Sequence, residues 1–419
     1  MRKFVTIIIL FVSFFSLRAE ERADSLLLQY LHAEGLDEYP FESVDIYTNG
    51  TDKFDALFSD FRNAKKTIDV EYFIFADDSI AHITLDELRK AAARGVKVRL
   101  VIDGYKDHER DYGYDSPRLD SLRAQGIDTY IFDPWRRPYL SHVPRDHRKI
   151  VVIDNEIGYI GGLNIADYYI NGKPEIYGGW RDAHIRIKGK AVYGLLELFE
   201  NALYIAKEGV KSEKNLAVRP NYKADIISEA HSEDGRTIVY FERSRVSKKK
   251  KAETRNAIIA AFNSAQDSMR IVSPYLLPTH TVRQALVKAI DRGVKVQILF
   301  SRDGDQPILS VGNYHLSKRL IRHGAEVYLY KGAFHHSKII MVDGQYSMVG
   351  SANLNSRSLK WDYEASCFVF DPEVTAELNH IFDQDLNECD KLTKQYYYKI
   401  PFHKRLFGWF VDRFLTPIL

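Results

Sequence analysis

Two short segments of the chain carry the same chemically active side chains at the same spacing. Each has a histidine, a lysine two residues later and an aspartate seven residues after the histidine: His147, Lys149 and Asp154 in the first segment, and His336, Lys338 and Asp343 in the second. An imidazole can act as a nucleophile or as a general acid and base, and a lysine can offset negative charge in a transition state. The repetition favours catalysis over a lone histidine at an exposed strand end.

The two segments belong to a longer internal repeat. After each aspartate come six residues and then Gly-Gly-Leu-Asn at 161–164 or Gly-Ser-Ala-Asn at 350–353. The motif residues of the two copies are 189 positions apart, whereas the upstream pentapeptide Arg-Gly-Val-Lys-Val recurs at a separation of 198. The first copy therefore has nine additional residues, which we place in the loop 133–145. The chain is a tandem duplication.

Each copy alternates between helical and strand-like patterns. Apolar residues recur at helical spacing in 54–64, 85–94, 257–265 and 282–292, and strand-like runs occupy 67–75, 96–102, 269–274 and 294–300. In the motif strands, the histidine and lysine share one face while the aspartate points to the other, where we expect it to brace the fold. Asp-Asn and Asp-Gly after these strands predict hairpins. We therefore expect an α/β protein of two tandem lobes, each a mixed sheet flanked by helices.

Length and charge set broad limits on function. The 419 residues suffice for two domains of about 190 residues, each with its own core. The 59 Lys and Arg against 57 Asp and Glu leave a net charge of +2, which is no general signature of nucleic-acid binding. Cys367 and Cys389 are expected to be packing residues. The run Lys248–Lys251 is expected to be a solvated linker rather than a lipid-binding or nucleic-acid-binding patch.

The N-terminal segment 1–19 is expected to be a signal peptide or a membrane anchor. Arg2 and Lys3 precede a mostly apolar run, 4–17, which is shorter than the ~20 residues of an ordinary spanning helix. Ala19 is a candidate cleavage site, and an uncleaved anchor is the alternative. In either case the rest of the chain would be translocated to the outer face of the inner membrane, in the cell envelope.

The paired motifs resemble those of the phospholipase D superfamily. Both copies match the pattern His-x-Lys-x4-Asp-x6-Gly-[Gly/Ser]-x-Asn at every fixed position. The segments 161–167, 180–189 and 350–358 are similar to bacterial cardiolipin synthases, and the similarity covers roughly residues 40 to 390. Many such synthases begin with two membrane-spanning helices, whereas this chain has one short apolar segment.

The resemblance implies an architecture with the active site between two similar lobes. The first phospholipase D-like lobe would span 20–215 and the second 216–392, related by a pseudo-two-fold axis. An amphipathic aromatic and basic tail, 393–419, would follow. Apolar residues of this tail fall near one helical face, as in a helix lying in a membrane interface, and docking on the domain core is the alternative.

The resemblance also implies a phosphatidyltransferase of cardiolipin synthase type, which joins phosphatidylglycerol to a second phospholipid and releases glycerol. One imidazole attacks phosphorus to give a phosphohistidine while the other protonates the leaving alkoxide and later activates the incoming alcohol. We assign His147 as the nucleophile and His336 as the acid and base. Asn164, Asn353 and Ser351, with the two motif lysines, would hold the phosphate. The scheme requires no cofactor and no metal ion.

Each imidazole needs an acceptor on its other nitrogen to fix its tautomer. Glu364 follows His336 by 28 residues, where the family pattern has such an acid. In the first copy, Asp182, 35 residues after His147, is preferred to Glu175.

Two further histidines have weaker signals. His184 either lines the headgroup pocket or is a satisfied strand histidine. His335 is expected at a strand edge, because only His336 has the motif spacing.

Other functions of the same superfamily remain open at this point. A phospholipase D hydrolase, or a phosphodiesterase or nuclease, would use the same residues. A nuclease is expected to be more basic and to lack the apolar ends, and a non-catalytic relative to have lost part of a motif. Phospholipids and a membrane surface are therefore the expected partners, nucleic acid is not expected, and a monomer is compatible with the sequence.

Overall fold

The structure, a computed structural model, describes residues 22–106, 116–133, 144–173, 179–209, 236–243, 252–417 and 419. Several predicted features lie outside the described residues: the N-terminal segment 1–19, Glu175, most of the loop 133–145 and the run Lys248–Lys251. The predicted boundary between 215 and 216 also falls outside them.

The predicted helices are present in the described part of the chain, together with others. Their bounds are α1 Ala23–Ala33, α2 Gly50–Asn63, α3 Ser79–Ala93, α4 Ser116–Ala124, α5 Tyr168–Asn171, α6 Val192–Glu208, α7 Glu253–Ser264, α8 His280–Asp291, α9 Pro307–His323, α10 Ser356–Lys360, α11 Pro372–Leu386, α12 Lys394–Lys399 and α13 Phe402–Phe410, which continues as a π-helical turn, Val411–Leu415. The side chains of Asn49 and Asp78 accept hydrogen bonds from first-turn amides of α2 and α3. Gly95 and Gly293 follow the C-terminal ends of α3 and α8, and their φ values of 90° and 98° let the chain leave each helix.

The strands and their hairpins follow the duplicated pattern. Their bounds are β1 Glu38–Pro40, β2 Ser43–Tyr47, β3 Thr67–Tyr72, β4 Lys97–Asp103, β5 Ile127–Phe132, β6 Lys149–Ile153, β7 Ile157–Gly161, β8 Trp180–Arg181, β9 His184–Lys188, β10 Thr237–Arg243, β11 Ser268–Val272, β12 Leu276–Leu277, β13 Lys295–Ser301, β14 Glu326–Tyr330, β15 Phe334–His335, β16 Ile339–Val342, β17 Tyr346–Gly350, β18 Leu354–Asn355, β19 Glu364–Phe370 and β20 Cys389–Lys391. Asp154, Asn155, Asp343 and Gly344 all have positive φ, between 52° and 66°. Two consecutive left-handed residues suit the tight turn of a hairpin, here β6–β7 and β16–β17.

Two large mixed sheets form the centres of the two lobes. The first has the order β2-β9-β7-β6-β3-β4-β5, and the second has the order β1-β10-β19-β17-β16-β11-β13-β14-β20. In each, three neighbouring strands are parallel, β3-β4-β5 or β11-β13-β14, and the motif strand β6 or β16 joins them antiparallel. The prediction of two tandem α/β lobes with mixed sheets is confirmed.

The motif strands are apolar along their length because both of their faces are covered. In β6, Ile150 and Val152 pack in a cluster shared with the second lobe, while Val151 and Ile153 pack against the helices of their own lobe. The strand β16 divides in the same way between the shared cluster and the core of the second lobe. The sheets therefore face each other, and the lobes share an interior.

The N-terminal elements belong to the second lobe, although they precede the first lobe in the chain. The strand β1 pairs antiparallel with β10 at one edge of the second sheet. Ala23, Leu27 and Leu31 of α1 are fully buried in the second lobe's core, with Ile258 and Phe262 of α7. Chain order alone had placed residues 23–40 in the first lobe.

None of the helices in the described part of the chain combines the length and apolar character needed to cross a membrane.

Candidate active site

The two motif histidines line one cavity of about 460 Å³, whose walls come from both lobes. Asn164 and Asn353, from the loops after β7 and β17, line the same cavity. Cross-lobe backbone contacts hold the two motif loops in place. Phe334 and His335 of β15 pair with Trp180 and Arg181 of β8, and Asp146 forms a bridge with Tyr363.

Each motif histidine contacts an acid of the other lobe. His147 Nδ1 lies 3.0 Å from Glu364 Oε2, and His336 Nδ1 lies 2.6 Å from Asp182 Oδ2. Both acids expected to orient a histidine therefore contact one, and each contacts the histidine of the other copy rather than the one from which its spacing is counted. The cross-lobe strand pairing is the reason, because the residue before Asp182 pairs with the residue before His336. When Nδ1 donates to the acid, Nε2 carries the lone pair that a nucleophile or base needs.

The two acids have different surroundings. Ser351 Oγ donates to Glu364 Oε2 at 2.5 Å. At the equivalent place near Asp182 the chain has Gly162, where a Cβ atom would lie 2.1 Å from Asp182 Oδ1. The two halves of the site are therefore not equivalent, although their motifs are.

The pKa values of the two acids shift in opposite directions. Burial raises the pKa of Glu364 to about 7, although Lys149 opposes this effect. Burial also acts on Asp182, but the charges of Lys338 and His336 outweigh it and hold the pKa of Asp182 below its usual value. At neutral pH, Asp182 is therefore more fully ionised than Glu364.

The motif lysines are buried behind the imidazoles. Lys149 Nζ donates to the carbonyl oxygen of His147 at 2.5 Å, and Lys338 Nζ lies 2.8 Å from His336 Nδ1. Burial lowers the pKa of Lys149 to about 7 and that of Lys338 to about 8. Both histidines are more easily held neutral here, since burial, and then the neighbouring lysine, lowers the pKa of His336 to about 4 and that of His147 well below its usual value.

The predicted phosphate-binding residues divide into two groups. Asn164 and Asn353 line the cavity, and the buried Oδ1 of Asn353 has no hydrogen-bond partner among the described residues. Asn164 is more constrained, because its Nδ2 donates to the Tyr169 hydroxyl at 2.5 Å. Ser351 is fully buried, and its hydroxyl contacts Glu364 and the Ala365 carbonyl. Ser351 does not line the cavity, and its hydroxyl hydrogen is directed to Glu364 rather than to the space between the two histidines.

The motif aspartates Asp154 and Asp343 repeat together with the catalytic histidines and lysines, but they lie outside the cavity. Asp154 accepts hydrogen bonds from three consecutive backbone amides, those of residues 65–67. Asp343 does the same for residues 266–268. Each aspartate fixes the start of the adjacent strand, β3 or β11, as the strand parity had indicated.

The two remaining histidines also lie away from the cavity. His184 is fully buried, and neither ring nitrogen has a hydrogen-bond partner among the described residues. His184 therefore does not line the cavity, and it is not a strand histidine with its hydrogen bonds satisfied, so neither of the two interpretations of this residue fits. His335 is buried rather than at an exposed edge, and its Nε2 lies 3.0 Å from Asp385, which also binds Arg181 at 2.8 Å. Asp385 gave no sequence signal, because it lies on α11, far along the chain.

The C-terminal tail combines the two predicted alternatives. Val411 is fully buried against Leu277 and Leu309, and Gly408 approaches α9 so closely that a Cβ atom would lie 2.5 Å from the Val311 oxygen. The opposite face is exposed, with large apolar side chains: Phe402, Leu406, Phe407, Trp409, Phe410 and Phe414. Leu419 lines the cavity that holds the two histidines. The tail is docked on the second lobe and also presents an exposed apolar face.

Comparisons with known proteins agree with this geometry. The family model described as "Cardiolipin synthase, PLD-like domain" matches residues 57–185 and 258–386. A cardiolipin synthase of Oceanobacillus iheyensis is 31% identical over 94% of this chain and 79% of that protein, and a cardiolipin synthase 2 of Staphylococcus epidermidis is 32% identical over 90% and 74%. The crystal structure of a phosphatidylserine synthase from Haemophilus influenzae has the same fold, with a TM-score of 0.72 at 15% identity over 94% of this chain and 99% of that one.

Proposed function

The chain belongs to the cardiolipin synthase family of phospholipase D-like enzymes, and from this premise we propose that it joins two phosphatidylglycerol molecules into cardiolipin and releases glycerol. The observation that carries the proposal is the single cavity lined by His147 and His336, each contacting a buried acid of the opposite lobe. Two imidazoles facing one phosphodiester provide both a nucleophile and a general acid.

In the first step, Nε2 of His147 attacks the phosphorus of one phosphatidylglycerol. The bond from phosphorus to the glycerol oxygen breaks, and His336 gives its proton to the leaving alkoxide. In the second step, His336 takes the proton from a hydroxyl of a second phosphatidylglycerol, whose oxygen attacks phosphorus while the N–P bond breaks. The products are cardiolipin and glycerol, and both histidines return to their starting protonation states.

The unequal acids support this division of roles. Burial and Lys338 lower the pKa of His336 to about 4 in the structure without substrate. The lowered pKa of Asp182 keeps it a carboxylate, and this carboxylate and the negative charge of a bound phosphodiester would together raise the pKa of His336, so that it can hold the proton that it gives to the alkoxide. Glu364, with a pKa of about 7, gives less of this stabilisation to His147, which suits a neutral nucleophile. The amides of Asn164 and Asn353 would donate to the phosphate oxygens, and the two buried lysines would offset its negative charge.

The assay that tests the function supplies phosphatidylglycerol alone in mixed micelles and analyses the lipids by mass spectrometry. We expect cardiolipin and free glycerol, with the same products when a chelator is in excess, because the motif lysines supply the positive charge. Phosphatidic acid as the dominant product would identify a hydrolase instead, and cleavage of single-stranded DNA without lipid turnover would identify a nuclease. Loss of activity with chelator, restored by one divalent metal, would show that an ion holds the phosphate.

We further propose that the exposed apolar face of the tail rests on the membrane that supplies the lipids. Phe402 is 69% exposed, and the neighbouring aromatic side chains continue this surface. Lys404 and Arg405 lie on the same helix, as expected for an interface with anionic lipids. Translocation to the outer face of the inner membrane by the segment 1–19 stays part of this proposal.

Replacing Trp409, Phe410 and Phe414 together with serine is expected to weaken binding to anionic liposomes at least about tenfold, because each apolar side chain withdrawn from the interface lowers affinity. Liposome sedimentation measures the effect. These side chains are exposed, so the fold should remain intact, whereas deleting residues 395–419 would also remove the buried Val411. Ile83→Ser, an equally exposed apolar residue of the first lobe, is the matched control. Unchanged binding in the triple variant would contradict the proposal.

A further inference from the structure

One carboxylate in the cavity has no role in the chemistry described above. Asp305 lies between β13 and α9 and lines the cavity together with His336. The Tyr275 hydroxyl lies 2.8 Å and 2.9 Å from its two carboxylate oxygens. The other acid that lines this cavity, Asp362, is paired with Arg357 at 2.6 Å. Asp305 has no such cationic partner in the part of the chain that the structure describes.

An unpaired carboxylate is unfavourable in a site that must hold a phosphodiester, since the two anions repel each other. Its presence is explained if it contacts a hydrogen-bond donor of the substrate. The tyrosine supplies a single hydrogen, so the carboxylate keeps lone pairs for further donors. Of the groups in phosphatidylglycerol, the free hydroxyls of the glycerol headgroup are the donors.

Asp305 lies close to the place where the alcohol part of the substrate would bind, and not where the acyl chains would be expected. Its negative charge acts on His336 and on Lys338 behind it. The ring of Tyr275, which holds Asp305, lies 6.3 Å from the His336 ring. Since His336 exchanges a proton with the leaving and the incoming alcohol, a group beside it is placed to contact the rest of that alcohol.

We propose that Asp305 determines the specificity for the alcohol by accepting a hydrogen bond from the hydroxyl next to the reacting one. It would do so for the departing glycerol and again for the incoming phosphatidylglycerol. The substrate class is therefore a polyol headgroup rather than a simple alcohol. This inference rests on the proposed function.

The test uses two alcohols that differ only in the second hydroxyl. The full-length protein receives phosphatidylglycerol with equal amounts of 1,2-propanediol and 1-propanol, and mass spectrometry measures the ratio of the two phosphatidyl alcohols. Both products come from one intermediate, so the ratio reports only the choice of acceptor. The wild type is expected to favour the diol, and Asp305→Ala to lower the ratio by about 10–100-fold, the value of one hydrogen bond to a charged group.

Three variants separate recognition from a structural role. Asp305→Asn keeps the shape and one acceptor oxygen, and is expected to lie between the wild type and the alanine variant. Tyr275→Phe keeps the carboxylate in the cavity but removes the hydrogen bond that fixes its orientation. This variant is expected to lower the ratio of diol product to propanol product less than Asp305→Ala does. Asp303→Asn, in the same loop but paired with Arg302 and outside this cavity, is the matched control and should keep the wild-type ratio.

The possible failures are distinct. A wild type that forms neither cardiolipin nor a phosphatidyl alcohol would overturn the proposed function. Transfer by the wild type with the same ratio in Asp305→Ala and Asp305→Asn would overturn the role of Asp305 alone. If ethanolamine is added as a third acceptor and only its product falls in the variants, the carboxylate recognises an ammonium group, and the hydroxyl assignment is wrong.

Discussion

Replacing His147 with alanine is expected to abolish phosphatidyl transfer, and replacing His336 with alanine is expected to slow it by about 10²–10⁴-fold, the usual contribution of general acid–base catalysis. The two losses differ because no bond to the enzyme can form without the nucleophile, whereas proton transfer can be partly replaced by water. Cardiolipin formation from phosphatidylglycerol measures both rates.

A substrate with a good leaving group distinguishes the two roles more sharply. The p-nitrophenolate of a p-nitrophenyl phosphodiester leaves without being protonated. His336→Ala should therefore still form the phosphohistidine, and should accumulate it because the second step lacks its base. His147→Ala should form no phosphohistidine. Mass spectrometry of the intact protein detects the adduct. His323→Ala, a surface histidine paired with Asp291, is the control and should behave as the wild type. An adduct in His147→Ala and none in His336→Ala would reverse the assignment.

Replacing Asp182 with asparagine is expected to reduce lipid transfer by about 10²–10⁴-fold, because His336 loses both its orientation and the charge that stabilises its protonated form. Glu364→Gln is expected to reduce it as well, through His147. The crossed contacts of 2.6 Å and 3.0 Å predict which variant resembles which histidine variant.

The leaving group again provides the measurement. Asp182→Asn should retain adduct formation from the p-nitrophenyl substrate, as His336→Ala does, whereas Glu364→Gln should slow it, as expected for a disturbed nucleophile. Asp303→Asn serves as a surface carboxylate control. The opposite pattern would mean that each acid serves the histidine of its own copy and that the crossed contacts are not those of the working enzyme.

The sequence predicts the repeated elements well, because the evidence for them is local. The motif strand, its hairpin at Asp343-Gly344 and the outward direction of Asp343 all follow from alternation and turn chemistry. Which acid meets which histidine does not follow, because it depends on how two lobes face each other. Residues 179–181 and 334–336 make that contact with backbone groups, which leave no pattern in the side chains.

The tail and the N-terminal elements show the same limit. The spacing of apolar residues in the tail predicts a helix with one apolar face, but it does not reveal that Gly408 and Val411 attach the other side to the second lobe. In the same way, no feature of residues 23–40 indicates that they bind to a sheet formed by residues far along the chain. Long-range contacts of this kind are decided by tertiary packing.

The placement of α1 and β1 on the second lobe has a consequence for biosynthesis. These elements leave the ribosome before the first lobe does, yet their partners β10 and α7 are translated only after the whole first lobe. Until then Leu27 and Leu31 have no core to enter, and the nascent chain presents an apolar segment of the kind that chaperones bind. Once the second sheet forms, α1 and β1 pack onto it and connect residues 23–40 to the second lobe. A fragment cut between the lobes would leave both pieces incomplete.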